Sequence, residues 1–252
     1  MACNKLANAG VAAAVALGAA ALTPSVAKAA DLTYSPAPMA ALLSTSVFTG
    51  VSAKEDSWYA YLGAVHALNG DINAEGWLVR GFIGAGETDY RAGVLGTIDS
   101  DIFDADLMVG YQIFEGRNRY TGYIGANYHD NDLSPNDPGN STRGDEIGAK
   151  IQLEADSWIG DLWNVGAIVS YSTANDAYWA RARLGYDWGG GWLIGPEGVL
   201  SGDDEYDEQR IGAFISGIPV GPLNASLAVG YADTSRGGDD SIYGSLGLSM
   251  QF

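Results

Sequence analysis

The chain has 252 residues, with 31 acidic residues against 13 basic ones and a formal net charge of −18 at pH 7. This charge argues against nucleic acid as a partner, because nucleic-acid binding needs clustered Lys and Arg. The single cysteine, Cys3, excludes an internal disulfide and a thiolate metal site. The 35 glycines, 14 tyrosines and 7 tryptophans, with only 17% charged residues, predict one all-β domain with aromatic anchoring.

The first 29 residues have the pattern of a signal peptide. An Ala/Val/Leu run covers residues 7–22, and Ala27-Lys28-Ala29 is a small–x–small cleavage site. The run is too short and too rich in Ala for a transmembrane helix, so we expect export. Residues 30–41 are then a short periplasmic leader, and residues 42–252 form the folded domain.

Twelve strand-like segments follow, and most are at least as long as the 9–11 residues that a tilted strand needs to cross a bilayer. They lie near residues 43–52, 56–68, 75–92, 98–114, 117–131, 143–156, 161–173, 176–188, 191–202, 205–217, 222–233 and 240–252.

Apolar and polar residues alternate with period two in several of these segments. The alternation is clearest in 102–113, 145–156, 178–188 and 223–231. Aromatic residues near the segment ends, with aliphatic residues between them, are typical of a lipid-facing band, while Gly, Ser and isolated charges on the other side suit a crowded lumen. We therefore predict an all-β, antiparallel, up-and-down transmembrane β-barrel of about 12 strands, with 10 or 14 as alternatives.

The connections favour the same fold. Gaps after even-numbered segments have tight-turn residues, and gaps after odd-numbered ones are generally longer and acidic, as expected for short periplasmic turns and longer outer loops. The predicted tight turns lie at 69–71, 115–116, 156–160, 189–190 and 217–219, and the longer loops at 132–142, 203–205 and 234–240.

The last strand carries a pattern typical of outer-membrane barrels. Ser245, Gly247, Met250 and the terminal Phe252 follow the polar–x–Gly–x–x–apolar–x–aromatic spacing that the barrel assembly machinery recognises. We therefore expect a protein of the bacterial outer membrane, in contact with its lipid. The alternative is the last strand of a soluble β-sandwich.

Charged residues of both signs fall on the predicted lumenal side of the strands. They either pair with each other, because a lone buried charge is costly, or line a narrow aqueous path. Trp179, Tyr206 and Tyr243 lie near the predicted outer rim, where they either stack on sugar rings or anchor the barrel. The lumenal candidates are Arg80, Asp106, Glu146, Lys150, Glu154, Arg181, Arg183, Glu197 and Arg210, with Asp187 in the same phase.

Catalysis has little support in the sequence. His66 and His129 are the only histidines, and no hydrolase or phosphate-loop motif is present. His129 is a candidate base for a lipase-like site, against a plain role as a polar rim residue. Acidic residues at 203–208 and 130–137 offer oxygen ligands for Ca²⁺ without a defined spacing, so solvated acidic loops are the alternative. We predict no catalytic residue, no metal and no cofactor.

Several stretches, in order over nearly the whole chain, resemble the BcsS family of cellulose biosynthesis proteins from alphaproteobacteria. Two examples are Ala105-Asp-Leu-Met-Val-Gly-Tyr-Gln112 and Tyr206-Asp-Glu-Gln-Arg-Ile-Gly212. The others are 47–52, 76–80, 120–125, 132–138, 148–154, 178–179 and 194–198.

The resemblance implies a role in bacterial cellulose production, with the cellulose chain and cellulose synthase components as partners. We expect the barrel to aid glucan export or to anchor the synthesis machinery. A lipid- or glycan-modifying outer-membrane enzyme is the first alternative, and a general porin is the second. Within the matched stretches, the polar residues to mutate first are Arg80, Asp106, Glu154, Glu197 and Arg210.

Overall fold

The computed structural model describes residues 42–235 and 241–252. The predicted signal peptide and leader lie outside the described residues. Twelve strands account for most of the described chain. They are β1 Thr45–Lys54, β2 Ser57–Ala67, β3 Gly76–Arg91, β4 Thr97–Glu115, β5 Asn118–Ser134, β6 Gly144–Ile159, β7 Trp163–Ser172, β8 Tyr178–Asp187, β9 Leu193–Gly202, β10 Asp207–Val220, β11 Leu223–Thr234 and β12 Ser241–Gln251.

The strands form a closed antiparallel barrel. Each strand pairs with its neighbours in the chain, and β1 pairs with β12 to close the ring. The prediction of a twelve-stranded up-and-down barrel is therefore confirmed. Two short 3-10 segments, Gly93–Leu95 and Ala174–Asp176, lie between strands. Neither of these helices in the described residues is long and apolar enough to span a membrane.

Phe252 takes part in the closure of the barrel. Its backbone N–H donates to Thr45 O at 2.9 Å, and its carbonyl accepts the N–H groups of Ser44 and Thr45, each at 2.9 Å. Its side chain is 55% exposed on the outer surface. The terminal aromatic residue thus lies on the outer face beside β1, at the seam between the first and last strands.

We call the end of the barrel that holds Thr45 and Phe252 the terminal end, and the opposite one the loop end.

The prediction of short connections after even-numbered strands and longer ones after odd-numbered strands holds only in part. The β1–β2 connection at the loop end is just 55–56, and the β2–β3 connection at the terminal end is a longer loop, 68–75. That loop turns inward, since Ile72 is buried and Gln112 Nε2 donates to Ile72 O at 2.9 Å and to Ala74 O at 2.6 Å.

The predicted turn at 217–219 is wrong. β10 continues to Val220, with a register shift against β11 between Ile215 and Ile218. Gly217 has φ +77°, and a methyl group there would overlap the Gly191 carbonyl oxygen. A glycine with positive φ serves a bulge as well as a turn, so composition alone did not separate the two.

The outer surface has an apolar band between two aromatic girdles. On β4, Phe103 and Tyr111 mark its two limits, about 27 Å apart along the strand at 3.4 Å per residue. Trp77 lies against Tyr111 with ring centroids 5.2 Å apart, and Phe103 lies 6.3 Å from Tyr128. Exposed Leu107 and Val109 lie between the girdles on β4. This matches the lipid-facing surface of a transmembrane barrel.

Strands β3–β6 continue beyond the girdle at the loop end, outside the membrane-spanning part. Their outward positions there carry carboxylates, several of them direct cross-strand partners such as Asp89 and Asp99, or Asp101 and Asp132. We call this surface the acidic ledge. It comprises Glu87, Asp89, Asp99, Asp101, Asp130, Asp132 and Asp145.

Candidate functional site in the barrel lumen

All nine polar candidates from the sequence lie on the lumenal side of the strands. The register places Arg80 opposite Met108, and Asp106 opposite Asn127, all of them buried inside the barrel. Most of the candidates join hydrogen-bonded clusters, each centred on one carboxylate.

Asp106 is the centre of the first cluster. It is 6% exposed and accepts Lys150 Nζ at 2.7 Å and Asn127 Nδ2 at 2.8 Å, and Arg80 Nη1 lies 3.5 Å away. Ser172 Oγ extends the cluster by donating to Asn127 Oδ1 at 2.9 Å. One carboxylate thus compensates two cations, in the way that buried charges require.

Glu197 is the centre of the second cluster. Its carboxylate lies 2.5 Å from Arg183 Nη2 and accepts the Tyr243 hydroxyl at 3.1 Å. The Arg183 guanidinium also lies over the Phe214 ring, 4.6 Å from its centroid. The pair is therefore held on both sides, which fixes its geometry.

Glu208 is the centre of the third cluster, near the loop end. It pairs with Lys54 Nζ at 2.5 Å and with Arg210 Nε, and it accepts the Tyr206 hydroxyl at 2.7 Å. Burial, together with the charge of Glu208, raises the pKa of Tyr206 above its ordinary value. The hydroxyl therefore stays a donor over the physiological pH range. Arg210 also donates to Ser52 Oγ at 2.8 Å.

His129 belongs to a fourth cluster, around Asp104. Its Nδ1 lies 2.8 Å from Asp104 Oδ1, and Tyr59 donates its hydroxyl to Asp104 Oδ2 at 2.9 Å. The carboxylate thus orients the imidazole, as it does in catalytic dyads, but also in purely structural pairs. His66 lies apart from this cluster, at an exposed position where Nδ1 is 3.0 Å from Thr45 Oγ1.

Three of the candidates form no ion pair within the described residues. Glu146 accepts the backbone N–H of Asn175 at 3.1 Å, and Glu154 accepts Gln152 Nε2 at 2.6 Å. The Arg181 guanidinium lies over the Trp179 ring, 5.5 Å from its centroid. The lumenal charges are therefore mostly, but not entirely, compensated.

The three sugar-stacking candidates have different environments. Trp179 is half-buried on the lumenal side of β8 beside Arg181. Tyr206 lies in the loop before β10 rather than in a strand, with its hydroxyl bound to Glu208. Tyr243 is 1% exposed, and its hydroxyl lies against Gly212. Sugar stacking therefore does not fit Tyr243, because the ring has no free face.

The sequence reasoning missed a group of lumenal aromatic residues on the first three strands. Phe48, Tyr61 and Phe82 are half-buried on the lumenal side of β1, β2 and β3. Tyr61 is stacked on Phe82, with centroids 5.9 Å apart and planes 23° apart, and it lies 6.3 Å from Phe48. We call these three rings the aromatic track. Arg80 lies over two of them, 5.5 Å from Phe48 and 5.2 Å from Phe82.

Glycines let these rings lie against the barrel wall. A methyl group at Gly63 would overlap the Phe48 ring, and one at Gly50 would lie 2.5 Å from the Tyr61 hydroxyl oxygen. Gly63 is the cross-strand partner of Phe48, and Gly50 is the cross-strand partner of Tyr61. A glycine opposite an aromatic residue on the adjacent strand was the sequence signal that could have revealed the aromatic track.

The acidic segments from the sequence do not assemble into an ion site. Glu208 is occupied by Lys54 and Arg210, and the carboxylates that come together lie elsewhere. Within the described residues, Glu87, Asp89 and Asp99 on the acidic ledge are the group whose oxygens lie within 4.8 Å of one another. Exposed carboxylates commonly cluster without an ion, so this group alone assigns no metal.

Comparison with solved structures shows the fold. The chain is similar to the COG4313 outer membrane channel from Pseudomonas putida F1, with 11% identity and a TM-score of 0.58 over 87% of this chain and 100% of that one. It is also similar to LpxR from Salmonella typhimurium, with 15% identity and a TM-score of 0.52 over 82% of this chain and 100% of that one. The fold is therefore that of outer-membrane barrels, and it agrees with an outer-membrane location.

Comparison with protein families shows which family includes this chain. No curated protein sequence matches the chain. The family described as "Cellulose biosynthesis protein BcsS" matches residues 46–252, which is the barrel from the second residue of β1 to the terminal residue. The chain belongs to the BcsS family of cellulose biosynthesis proteins.

Proposed function

We propose that the barrel gives a glucan chain passage across the outer membrane during cellulose production. The observation that carries the proposal is the aromatic track, in which Phe48, Tyr61 and Phe82 contact one another on three adjacent strands of the lumenal wall and are only half-buried. The apolar faces of glucose units stack on aromatic rings, and a row of rings offers successive units equivalent positions.

The charge clusters support the same function. Asp106, Glu197 and Glu208 hold their cations against the wall by ion pairs and hydrogen bonds. A neutral polymer moves past compensated charges without having to break strong ionic contacts. Binding along such a path must be favourable enough for entry and weak enough for release, and ring stacking meets that condition better than charge does.

Conductance in planar bilayers tests the passage directly. We expect the purified barrel to form a narrow conducting path and cello-oligosaccharides to block it at increasing concentration. Phe48→Ala and Phe82→Ala should weaken the block while the channel still opens. Phe103→Ala, in the lipid-facing girdle, is the matched control and should leave the block unchanged. If cello-oligosaccharides never bind or block the lumen, the proposal fails, and a role in anchoring the synthesis machinery would replace it.

A second candidate function is a lipid- or glycan-modifying hydrolase at the loop end. One observation favours it, which is the Asp104-oriented imidazole of His129. In this alternative, His129 Nε2 acts as a general base toward water. A His129→Ala variant that lost a measured hydrolase activity while remaining folded would favour the enzyme. Loss of cellulose on deletion of the protein, with unchanged lipid composition, would favour the glucan path.

A further inference from the structure

Arg181 differs from the other lumenal cations that the sequence identifies. Arg80, Lys150, Arg183 and Arg210 each have a carboxylate oxygen within 4.0 Å. For Arg181, no such oxygen comes from residues 42–235 or 241–252. Arg119, at the terminal end, also has no ion pair in this part of the chain, but its direct cross-strand partner is Asp156.

Two lumenal carboxylates, on β9 and β6, are already engaged by other side chains. Glu197 is bound by Arg183 and Tyr243, and Glu154 accepts the Gln152 side-chain amide. Arg183, two residues along the same strand, adds repulsion between like charges. The positive charge of Arg181 is therefore the least compensated of these five, although the side chain is partly shielded from water. Such a position favours an anion.

The surroundings of Arg181 indicate what kind of molecule would bring that anion. Trp179 lies beside it, with the guanidinium 5.5 Å from the ring centroid. β8 and β2 are six strands apart in the twelve-stranded ring, so Arg181 and Tyr61 lie on opposite walls. Both side chains belong to the lumenal phase of their strands. A sugar on the aromatic track would thus face a guanidinium and an indole ring from the other side.

We propose that Arg181 and Trp179 form a binding position for an acidic sugar unit, in which the guanidinium binds a carboxylate or phosphate group and the indole packs on the sugar ring. Arg binds both kinds of group through paired N–H donors. This inference rests on the proposed function, because the acidic unit would arrive as part of a glucan in the lumen. It adds that the path discriminates by charge, at a position separate from the aromatic track.

Calorimetric titration of the purified barrel in detergent tests the inference. The ligands are cellotetraose, the same oligosaccharide with a carboxylate at one C6, and the same oligosaccharide with a phosphate at one C6. We expect at least one acidic ligand to bind about tenfold more tightly than cellotetraose, as one charge-assisted contact implies. The two acidic ligands distinguish a carboxylate from a phosphate as the preferred group.

Arg181→Gln should remove this preference, so that the variant binds the three ligands with about equal affinity. Arg181 forms no ion pair with a described residue, so its removal breaks no salt bridge. Arg117→Gln is the matched control, because that side chain is 54% exposed in the turn after β4. It should bind all three ligands as the wild type does.

The possible failures are distinguishable. Equal binding of neutral and acidic ligands by the wild type, or a preference that survives in Arg181→Gln, overturns the inference and leaves the glucan path intact. Absence of binding by all three ligands overturns the glucan path and this inference together.

Discussion

Removal of the Asp106 charge is the sharpest test of how the lumen is stabilised. The Asp106 side chain is 1% exposed and its carboxylate compensates both Lys150 and Arg80, at 2.7 and 3.5 Å. Asp106→Asn keeps the shape and removes the charge, so two cations lose their counter-ion. Breaking a buried pair from one side costs about 3–5 kcal/mol. We expect about 3 kcal/mol, since the Lys150 side chain is 17% exposed and keeps some contact with water.

Equilibrium unfolding in urea, followed by tryptophan fluorescence of the barrel in lipid vesicles, measures this loss. Asp161→Asn is the matched control, because the Asp161 side chain is fully exposed opposite Arg117 and the substitution should leave the free energy of unfolding nearly unchanged. Addition of Lys150→Met to Asp106→Asn should recover part of the loss by removing one of the uncompensated cations. If the free energy of unfolding of Asp106→Asn lies within about 1 kcal/mol of the wild-type value, the clusters do not stabilise the barrel as we argue.

Three further predictions concern the wall, the acidic ledge and the C-terminus. Gly63→Ala should destabilise the barrel by about 1–3 kcal/mol, because the new methyl group displaces the Phe48 ring; urea unfolding measures it. Burial, with the charges of neighbouring carboxylates, raises the pKa of Asp101 above its ordinary value of 3.8. The folded state therefore loses stability as the pH rises from the ordinary carboxyl pKa through the raised one. Asp101→Asn should therefore melt at a higher temperature than the wild type at pH 7 and at the same temperature below the ordinary carboxyl pKa. Phe252→Ser should lower the fraction of barrel with heat-modifiable migration on gels, because it removes the terminal aromatic residue of the assembly signal.

Each of these predictions has its own control or contrary outcome. Gly81→Ala places a methyl group in open space on the neighbouring strand β3 and should be neutral or slightly stabilising. An equal loss of stability in Gly63→Ala and Gly81→Ala would contradict the packing argument. A melting difference for Asp101→Asn that does not change with pH would show that charge is not its cause. Unchanged assembly of Phe252→Ser would remove the signal role from Ser245, Gly247 and Met250 as well.

The alternation of side chains made much of the fold predictable from the sequence. In β6, one phase carries Ile147, Ile151 and Leu153, and the structure leaves all three exposed on the outer surface. Since the period is two, the lumenal phase of Lys150 and Glu154 follows without any knowledge of pairing. The number of about twelve strands, with 10 or 14 as alternatives, followed from the turn residues between most of the segments.

The contacts within the lumen were not predictable in the same way. The Asp106 cluster unites residues of β3, β4, β5 and β6, and Lys54 reaches Glu208 over 154 positions in the chain. Such contacts depend on strand register, which the turns fix only when their length is known. Gly217 shows the difficulty, because its bulge was predicted as a turn.

The aromatic track was missed for a related reason. The phase of β1 depends on its pairing with β12, which is distant in the chain, and β2 takes its phase from its pairing with β1. Once Val47 is known to lie beside Met250 on the outer face, Phe48 must face the lumen. The facing glycine, Gly63, then supports the assignment independently.

A blocked lumen in living cells tests the proposed glucan path most directly. The one native cysteine, Cys3, lies in the predicted signal peptide, so an introduced cysteine can be labelled selectively. Ser245→Cys faces the lumen on β12, and Asp204→Cys lies exposed at the loop end as the control. After quantitative labelling with a bulky polyethylene glycol maleimide, we predict that cellulose secretion stops in Ser245→Cys cells and continues in Asp204→Cys cells. Continued secretion through a fully labelled Ser245→Cys barrel would contradict passage through the lumen.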